Sequence, residues 1–378
     1  MTHSAATGES VHVLVDALAL KPELGGIATY VRSVVRELSR RGDIRLTVVT
    51  SMPGDFGALE GVDVIEAPES VRSYRSRVIW RERRLPRIIR ERRPAVVFSP
   101  TIELPLRKLD VPTLMVVHDL GPAQSPAMYG WGRWLRYHSL LRHSLAAASR
   151  VVCVSAATEI QLASSIRMDM SKVIVVGEAG GSVHIARETR APAATGHPFV
   201  LHVGALLPHK NFETLMRAFA DKSLSQLELV AVGPVDAGER DRLHALADEL
   251  GFRDRFHHLG FVERSELEAL YRAASCVAIP TINEGFGLPL LEAQVRRAPV
   301  VASSIPSLRE VAEADSALWV DRPLDPGAWS RAILELTSDE RLRQSLVDAG
   351  TASASAHSWE SVANDLAAEL TALADATA

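Results

Sequence analysis

The residues best suited to chemistry form a loop, Asn283-Glu284-Gly285-Phe286-Gly287-Leu288-Pro289. It follows the apolar run CVAIPT (276–281) and opens the helical pattern LLEAQVRR. Gly285 and Gly287 let the backbone approach a ligand closely and tolerate positive φ. Pro289 suits a first helical turn, where its missing N–H costs nothing. Free amides at that helix start, backed by the dipole, favour an anion or polar hydroxyls. Glu284 in the loop and Glu292 on the helix then make sense as acceptors for hydroxyls of a sugar or ribose. A second loop, Val203 to Asn211 (VGALLPHKN), lies between a strand pattern and a predicted helix over 211–220. It carries Lys210, one of only five lysines. A cation at a helix start opposes the dipole, and a bound anion would reconcile the two. His209 beside it either donates to the same anion or lies exposed.

Three further groups are weaker on their own. Gly25 and Gly26 follow the first strand and open the first helix, allowing close approach of phosphate or sugar, although GxGxxG is absent. His118-Asp119 ends TLMVVHD (113–119); a neutral histidine there is able to bond a substrate hydroxyl or to be satisfied by main chain. The run over 70–93 holds ten arginines and Trp80, with helical phasing interrupted by Pro86. Its plain reading is a solvated helix face. The other candidates are an anionic membrane surface, a phosphorylated acceptor or nucleic acid. Nucleic acid fits poorly, because no recognised module appears.

The elements that must position these residues are short apolar β-rich runs alternating with amphipathic helices, the pattern of parallel α/β layers. Strands are predicted at 11–16, 45–50, 95–100, 113–119, 150–155 and 172–177, and again at 199–204, 227–233, 256–261, 276–281, 299–304 and 317–321. Ligands of such sheets bind beyond the carboxyl ends of the strands, where the loops above fall. The stretch 186–198 loses periodicity and reads as a linker. The expected organisation is an N-terminal Rossmann-like domain over 1–190, a second over 191–356 facing it across a cleft, and a terminal helix over 357–378. The 378 residues are 47% apolar and 23% charged, which excludes disordered and collagen-like classes. No apolar stretch approaches the roughly 20 residues of a membrane-spanning helix. The polar opening MTHSAATGES has no secretory pattern. Two cysteines build neither a disulfide framework nor a zinc cluster, so a reducing, cytoplasmic setting is expected. Residues 1–190 hold 26 Lys and Arg against 19 Asp and Glu; the remainder holds 16 against 27. Such asymmetry suggests two units with different partners.

Taken together and in order, GGIATYV, VVHDL, CVSAAT, HVGALLPHKNFETLMRAF, LGFVERSELEALYRAA, INEGFGLPLLEA and SSIPSLREVAEADSALWVD resemble the family-four retaining glycosyltransferases (glycosyl transferases group 1) of the GT-B fold. The most specific element is the E-x7-E spacing from Glu284 to Glu292. The resemblance implies a nucleoside-diphosphate sugar, on UDP or GDP, as donor on the C-terminal domain, with no separate cofactor and no metal. Lys210 would neutralise the diphosphate, with His209 standing where this branch usually has arginine. Glu292 would hold ribose hydroxyls, while Glu284 and the amides of Gly285, Phe286, Gly287 and Leu288 grip sugar and phosphate. Backbone near Val262 would meet the nucleobase. His118 would contact the transferred sugar, and Gly25 and Gly26 would approach the diphosphate. By this resemblance His118, Lys210 and Glu284 are the catalytic candidates. The acceptor, a small molecule, glycan or lipid-linked compound, would lie on the N-terminal domain, with the 70–93 run touching a membrane from the cytoplasmic side. The terminal helix would pack back on the N-terminal domain. Arg297 departs from the family by replacing an expected helix C-cap glycine. The rivals are a nucleotide-sugar epimerase or phosphorylase of the same fold, the latter lacking a pyridoxal-phosphate lysine motif, and a non-catalytic anion- or membrane-binding scaffold.

Overall fold

The structure is a computed structural model that describes residues 10–21, 25–121, 130–180 and 197–377. The chain forms two compact units, one of Met1–Glu178 with Trp359–Ala378, the other of Ala179–Ser358. The first division thus falls before 179 rather than at 190/191. Gly180 already belongs to the second unit: a Cβ there would meet Val295 Cγ2 at 2.9 Å and Leu291 O at 3.1 Å. Most of the expected linker lies outside the described residues.

Unit 1 is built from β1 (Val11–Asp16), α1 (Gly25–Ser39), β2 (Ile44–Thr50), β3 (Val62–Glu66), α2 (Tyr74–Arg92), β4 (Val96–Ser99), β5 (Thr113–Val117), α3 (Trp131–Ala147), β6 (Arg150–Cys153), α4 (Ala156–Ser165) and β7 (Val173–Val175). Its sheet is parallel, in the order β3-β2-β1-β4-β5-β6-β7. Strand order therefore reverses between β1 and β4, the kind of switch point at which open α/β sheets take ligands. α12 (Trp359–Asp375) packs on α1 through its buried Val362, Leu366 and Leu370. Arg150 Nε pairs with Glu369 Oε2 on it at 3.1 Å.

β3 was not expected. It is the sheet's edge, and none of its five residues is fully buried, so VDVIE lacks the continuous apolar signal of the central strands. Nor does Pro86 interrupt α2. A proline inside a helix costs about 3 kcal/mol, but the residues around it, Leu85, Ile88 and Ile89, sink into the core over β1 and β4. Packing outweighs local preference here.

Unit 2 runs β8 (Phe199–Val203), α5 (Phe212–Ala218), β9 (Glu228–Val232), α6 (Ala237–Glu249), β10 (Phe256–Gly260), α7 (Arg264–Ala273), β11 (Cys276–Ile279), α8 (Leu288–Val295), β12 (Val300–Ser303), α9 (Pro306–Val311), β13 (Leu318–Val320), α10 (Pro326–Ser338) and α11 (Glu340–Ser355). The sheet is again parallel, ordered β10-β9-β8-β11-β12-β13, with its switch point between β8 and β11. Apolar side chains cover both faces, around Phe219 and Trp329 on one and Tyr271 and Leu290 on the other. α11 was also unanticipated: its Gly350, Thr351 and Ser residues weaken helix propensity, yet Asp339 caps it by accepting from the amides of Arg341 and Leu342. Cys153 and Cys276 are buried free thiols, each pushed up to about 12 by burial. Among the described residues no helix is long and apolar enough to cross a membrane.

Candidate active site

The carboxyl ends of β8 and β11 carry the two loops singled out above, and the reversal of strand order makes them neighbours. After β8 the chain passes Gly204 and forms a 3-10 turn, Pro208–Lys210. Asn211 then adopts the left-handed conformation, φ 53°. Asparagine tolerates that region better than most residues, and its side chain locks the turn. Nδ2 donates to Pro280 O at 3.0 Å and Pro323 O at 2.8 Å, while Oδ1 accepts from the Thr214 hydroxyl at 2.6 Å. From the other side Ile282 N donates to His209 O at 2.9 Å. The Thr281 hydroxyl lies 3.1 Å from the same oxygen and 2.9 Å from Asn283 O. Asn211 and Thr281 thus hold the two loops in register. Neither residue stands out by type alone; the asparagine directly after the lysine is the local signal.

Across this junction Lys210 Nζ donates to Glu284 Oε1. Both side chains are largely buried, at 16% and 12% exposure. The anion expected to reconcile a lysine with a helix start is, in the chain alone, this carboxylate. Below it, His202 on β8 donates from Nδ1 to Ala278 O on β11 at 3.1 Å. Burial and then the nearby Lys210 charge push its pKa down to about 4, so the ring is neutral.

α8 starts at Leu288 with no side-chain cap on its amides. Gly287 before it has φ 121°, and a Cβ there would meet Leu308 Cδ2 at 2.5 Å, so only glycine fits. Phe286 and Leu288 are buried, at 6% and 7% exposure. Their side chains serve the core, which leaves only their amides for a ligand. Glu292, one turn into α8, accepts from the Tyr271 hydroxyl at 3.3 Å. Its neighbour Arg296 pairs with the Glu268 carboxylate, with Nη2 2.6 Å from Oε1, and donates from Nη1 to the Glu292 main-chain oxygen at 2.8 Å. Burial raises the Glu292 pKa, Arg296 opposes that, and Glu268 adds to it. Arg297, at φ 58°, takes the left-handed position expected of a C-cap glycine, and Ala298 N closes the helix on Ala293 O at 3.0 Å.

A glycine pair missed in the sequence completes the floor. Gly233, just after β9, has φ 143°, and a Cβ there would come within 2.1 Å of Gly204 O. No other residue lets these two strand ends lie together. Val262, after β10, is half-buried against the core.

In unit 1 the expected residues behave differently. Gly25 and Gly26 are exposed at the start of α1, and a Cβ at Gly25 would meet nothing within 4 Å. Among the described residues no packing requires glycine at 25. His118 is not a free neutral ring. Its Nε2 lies 2.9 Å from Pro100 O and its Nδ1 2.8 Å from Glu178 Oε1. A carbonyl only accepts, so Nε2 carries a proton, and the ring when protonated donates from both nitrogens, Nδ1 to Glu178. Burial alone would lower its pKa, but the Glu178 hydrogen bond and charge raise it net. Tyr30 packs edge-on against the ring at 4.8 Å. A raised histidine pKa stabilises the fold fully below the unfolded value of about 6.5, and the gain is lost as pH rises through the folded value. The melting temperature of unit 1 is therefore expected to fall as pH rises above 6.5, and His118→Gln to flatten that slope. An unchanged slope in the variant would refute the charged pair.

The arginine run also departs from its plain reading. Arg77 and Arg81 on α2 are buried, at 5% and 2% exposure. Arg77 grips Glu103 with both Nε and Nη2 at 2.7 Å. Arg81 bonds Asp16 Oδ2 at 2.7 Å and Glu103 Oε2 at 2.8 Å. Arg81 ties the end of β1 to the loop after β4, Arg77 holds the same loop, and neither guanidinium is part of a solvated face.

Two α/β units, each on a parallel sheet, match the GT-B class of glycosyltransferases. The family description "Glycosyltransferase Family 4" matches residues 24–178 and "Glycosyl transferases group 1" matches residues 186–353. This chain belongs to the group 1 glycosyltransferases of the family-four type. It is 39% identical over 156 residues to a D-inositol 3-phosphate glycosyltransferase of Corynebacterium urealyticum, covering 40% of this chain and 36% of that protein. It is 28% identical over 304 residues to O-antigen chain mannosyltransferase B of Escherichia coli, covering 78% and 77%. The crystal structure of HepE from Anabaena in complex with UDP and glucose superposes with a TM-score of 0.73 at 18% identity, over 96% of this chain and all of that one. The first of these matches spans about a third of its relative's length.

Proposed function

We propose that unit 2 binds a nucleoside-diphosphate sugar and that the sugar passes, with retention of configuration and without a metal, to a hydroxyl of an acceptor held by unit 1. The observation that carries this is the Lys210–Glu284 pair at the β8/β11 switch point, beside the uncapped amides of α8. Cleaving a sugar–phosphate bond builds negative charge on the leaving diphosphate. A fixed ammonium and helix amides stabilise that charge where it grows, which is the role a divalent cation would otherwise fill. The diphosphate would take Lys210 from Glu284, freeing the carboxylate to accept from sugar hydroxyls. Glu292 would accept from ribose, its orientation held by Tyr271. The HepE complex with UDP and glucose supports this reading by analogy of fold, and the names of the relatives support a sugar transferred to an inositol phosphate or a growing glycan.

The direct test is a thermal-shift titration with UDP, GDP and their sugars, since a ligand of the native state raises its stability. Product anomeric configuration by NMR tests retention, and turnover in chelator tests metal independence. Failure of every nucleoside diphosphate to raise the melting temperature would overturn the proposal. Glu292→Gln is expected to weaken nucleotide binding about tenfold or more, the range for hydrogen bonds to charged groups. Because the carboxylate is the acceptor and its pKa is raised, binding should strengthen as pH rises through a window above the ordinary 4.5. Calorimetric titration across pH checks both.

A further inference from the structure

In unit 2, α7 and α8 meet through four polar side chains. Glu268 and Tyr271 are three residues apart on α7, and Glu292 and Arg296 four apart at the end of α8, spacings that put each pair on one helix face. The partners cross between the helices. Arg296 grips Glu268 with Nε at 2.9 Å and Nη2 at 2.6 Å, while the Tyr271 hydroxyl donates to Glu292 Oε2 at 3.3 Å. The guanidinium also lies over the Tyr271 ring, 4.9 Å from its centre, and donates from Nη1 to Glu292 O at 2.8 Å. One planar group thus touches the other three residues.

Stability alone does not account for this arrangement. The Arg296 and Glu268 side chains are 5% and 2% exposed. Taking two charges that far out of water offsets most of their attraction, and apolar side chains of like volume hold a core as well. What a buried guanidinium supplies is position, because its N–H directions are rigid and fix its partners relative to one another. The group so fixed is Glu292. Its Oε2 is held by Tyr271, its Oε1 has no hydrogen-bond partner among the described residues, and the residue is only half-buried. A carboxylate held on one oxygen and open on the other suits a hydroxyl donor whose place is exacting.

We propose that Arg296, seated by Glu268, is a positioning residue for Glu292, and that this network makes the site select ribonucleoside over 2′-deoxyribonucleoside diphosphates. The guanidinium sets the Tyr271 ring and the last turn of α8, and these two hold the Glu292 carboxylate where a ribose hydroxyl donates to it. The inference rests on the reading that Glu292 accepts from ribose. It adds the residues behind that acceptor and the class of nucleotide they reject.

The test is calorimetric titration of the full chain with UDP, GDP and the 2′-deoxy form of each, read as the ratio of deoxy to ribo Kd. For the tighter-binding base the wild-type ratio should be about tenfold or more, the effect of losing one hydrogen bond to a charged group. In the double variant Glu268→Gln, Arg296→Met no charge is stranded. Its ribonucleotide Kd should rise about tenfold and its deoxy Kd less than twofold, which brings the ratio near one. Arg296→Lys keeps a cation without the planar fork and should lower the ratio in the same way, so the test stands even if the double variant does not fold. A wild-type ratio near one, or a ratio at the wild-type value in both variants, would overturn the proposal. So would an equal rise in both Kd values, the mark of a purely structural role. Glu292→Gln keeps the two readings apart. If it abolishes the ratio while the Arg296 variants keep it, only this inference fails. If it leaves the ratio intact, the ribose reading of Glu292 fails, and if no nucleoside diphosphate binds the wild type, the proposed function fails.

Discussion

Lys210→Ala is expected to lower the turnover number for sugar transfer by about a hundredfold to a thousandfold, the cost of removing one preorganised donor from a developing anion. The ammonium is not a solvated surface charge: only 16% of its side chain is exposed, and it is fixed on Glu284 by a turn that Asn211 and Thr281 brace. Removing it has a second consequence. Glu284, 12% exposed, loses its partner, and an uncompensated buried carboxylate destabilises the fold. Stability and chemistry are separable in the double variant Lys210→Ala, Glu284→Gln, in which the stranded charge is gone. Its melting temperature should recover toward wild type while turnover stays low. Turnover of Lys210→Ala within threefold of wild type would remove the lysine from the mechanism.

The largest stability effect is expected from Arg81→Met. Asp16 is 1% exposed and the Glu103 side chain 14%, and both rely on this guanidinium. Breaking a buried ion network by removing its cation typically costs about 3–5 kcal/mol. For a unit of this size that is a fall of roughly 10 °C in the unit 1 transition, measured by calorimetry. Unit 2, with its separate core, should melt where it did. Replacing Asp16 together with the arginine, as Asp16→Asn and Arg81→Met, should return most of the loss, because Glu103 keeps Arg77 and no charge is then stranded. The network also predicts acid sensitivity. Burial alone would raise the Glu103 pKa, but the hydrogen bond from Arg77 and the charge of Arg81 lower it net. A depressed carboxylate contributes stability that is present above its unfolded value near 4.5 and lost as pH falls through the folded one. A shift below 3 °C in Arg81→Met would show the network to be solvated.

These two residues also show where sequence reasoning reaches and where it stops. Lys210 stood out locally, as a scarce lysine at a helix start. Arg81 was one of ten arginines in a run of similar composition, and nothing within that run distinguished the buried pair from the solvated ones. Its partners are 65 and 22 residues away, on the end of β1 and in the loop after β4. His118 was found as a strand-end histidine, but its charge state follows from Glu178, 60 residues on. β3 escaped because an edge strand need not be apolar on both faces, and α2 ran through Pro86 because its apolar face is buried.

The amino-acid order by itself determined the alternation of strands and helices, the glycine-rich loops at strand ends and the E-x7-E spacing. All of these are local, set by periodicity and by the backbone freedom of glycine. Only the tertiary structure decided which loops meet. Lys210 and Glu284 are 74 residues apart and become partners because β8 pairs directly with β11. The same reversal of strand order in unit 1 brings Asp16 and Glu103 onto one arginine. Strand adjacency is a property of the whole sheet's packing, and no window of the chain short enough to read for periodicity contains it.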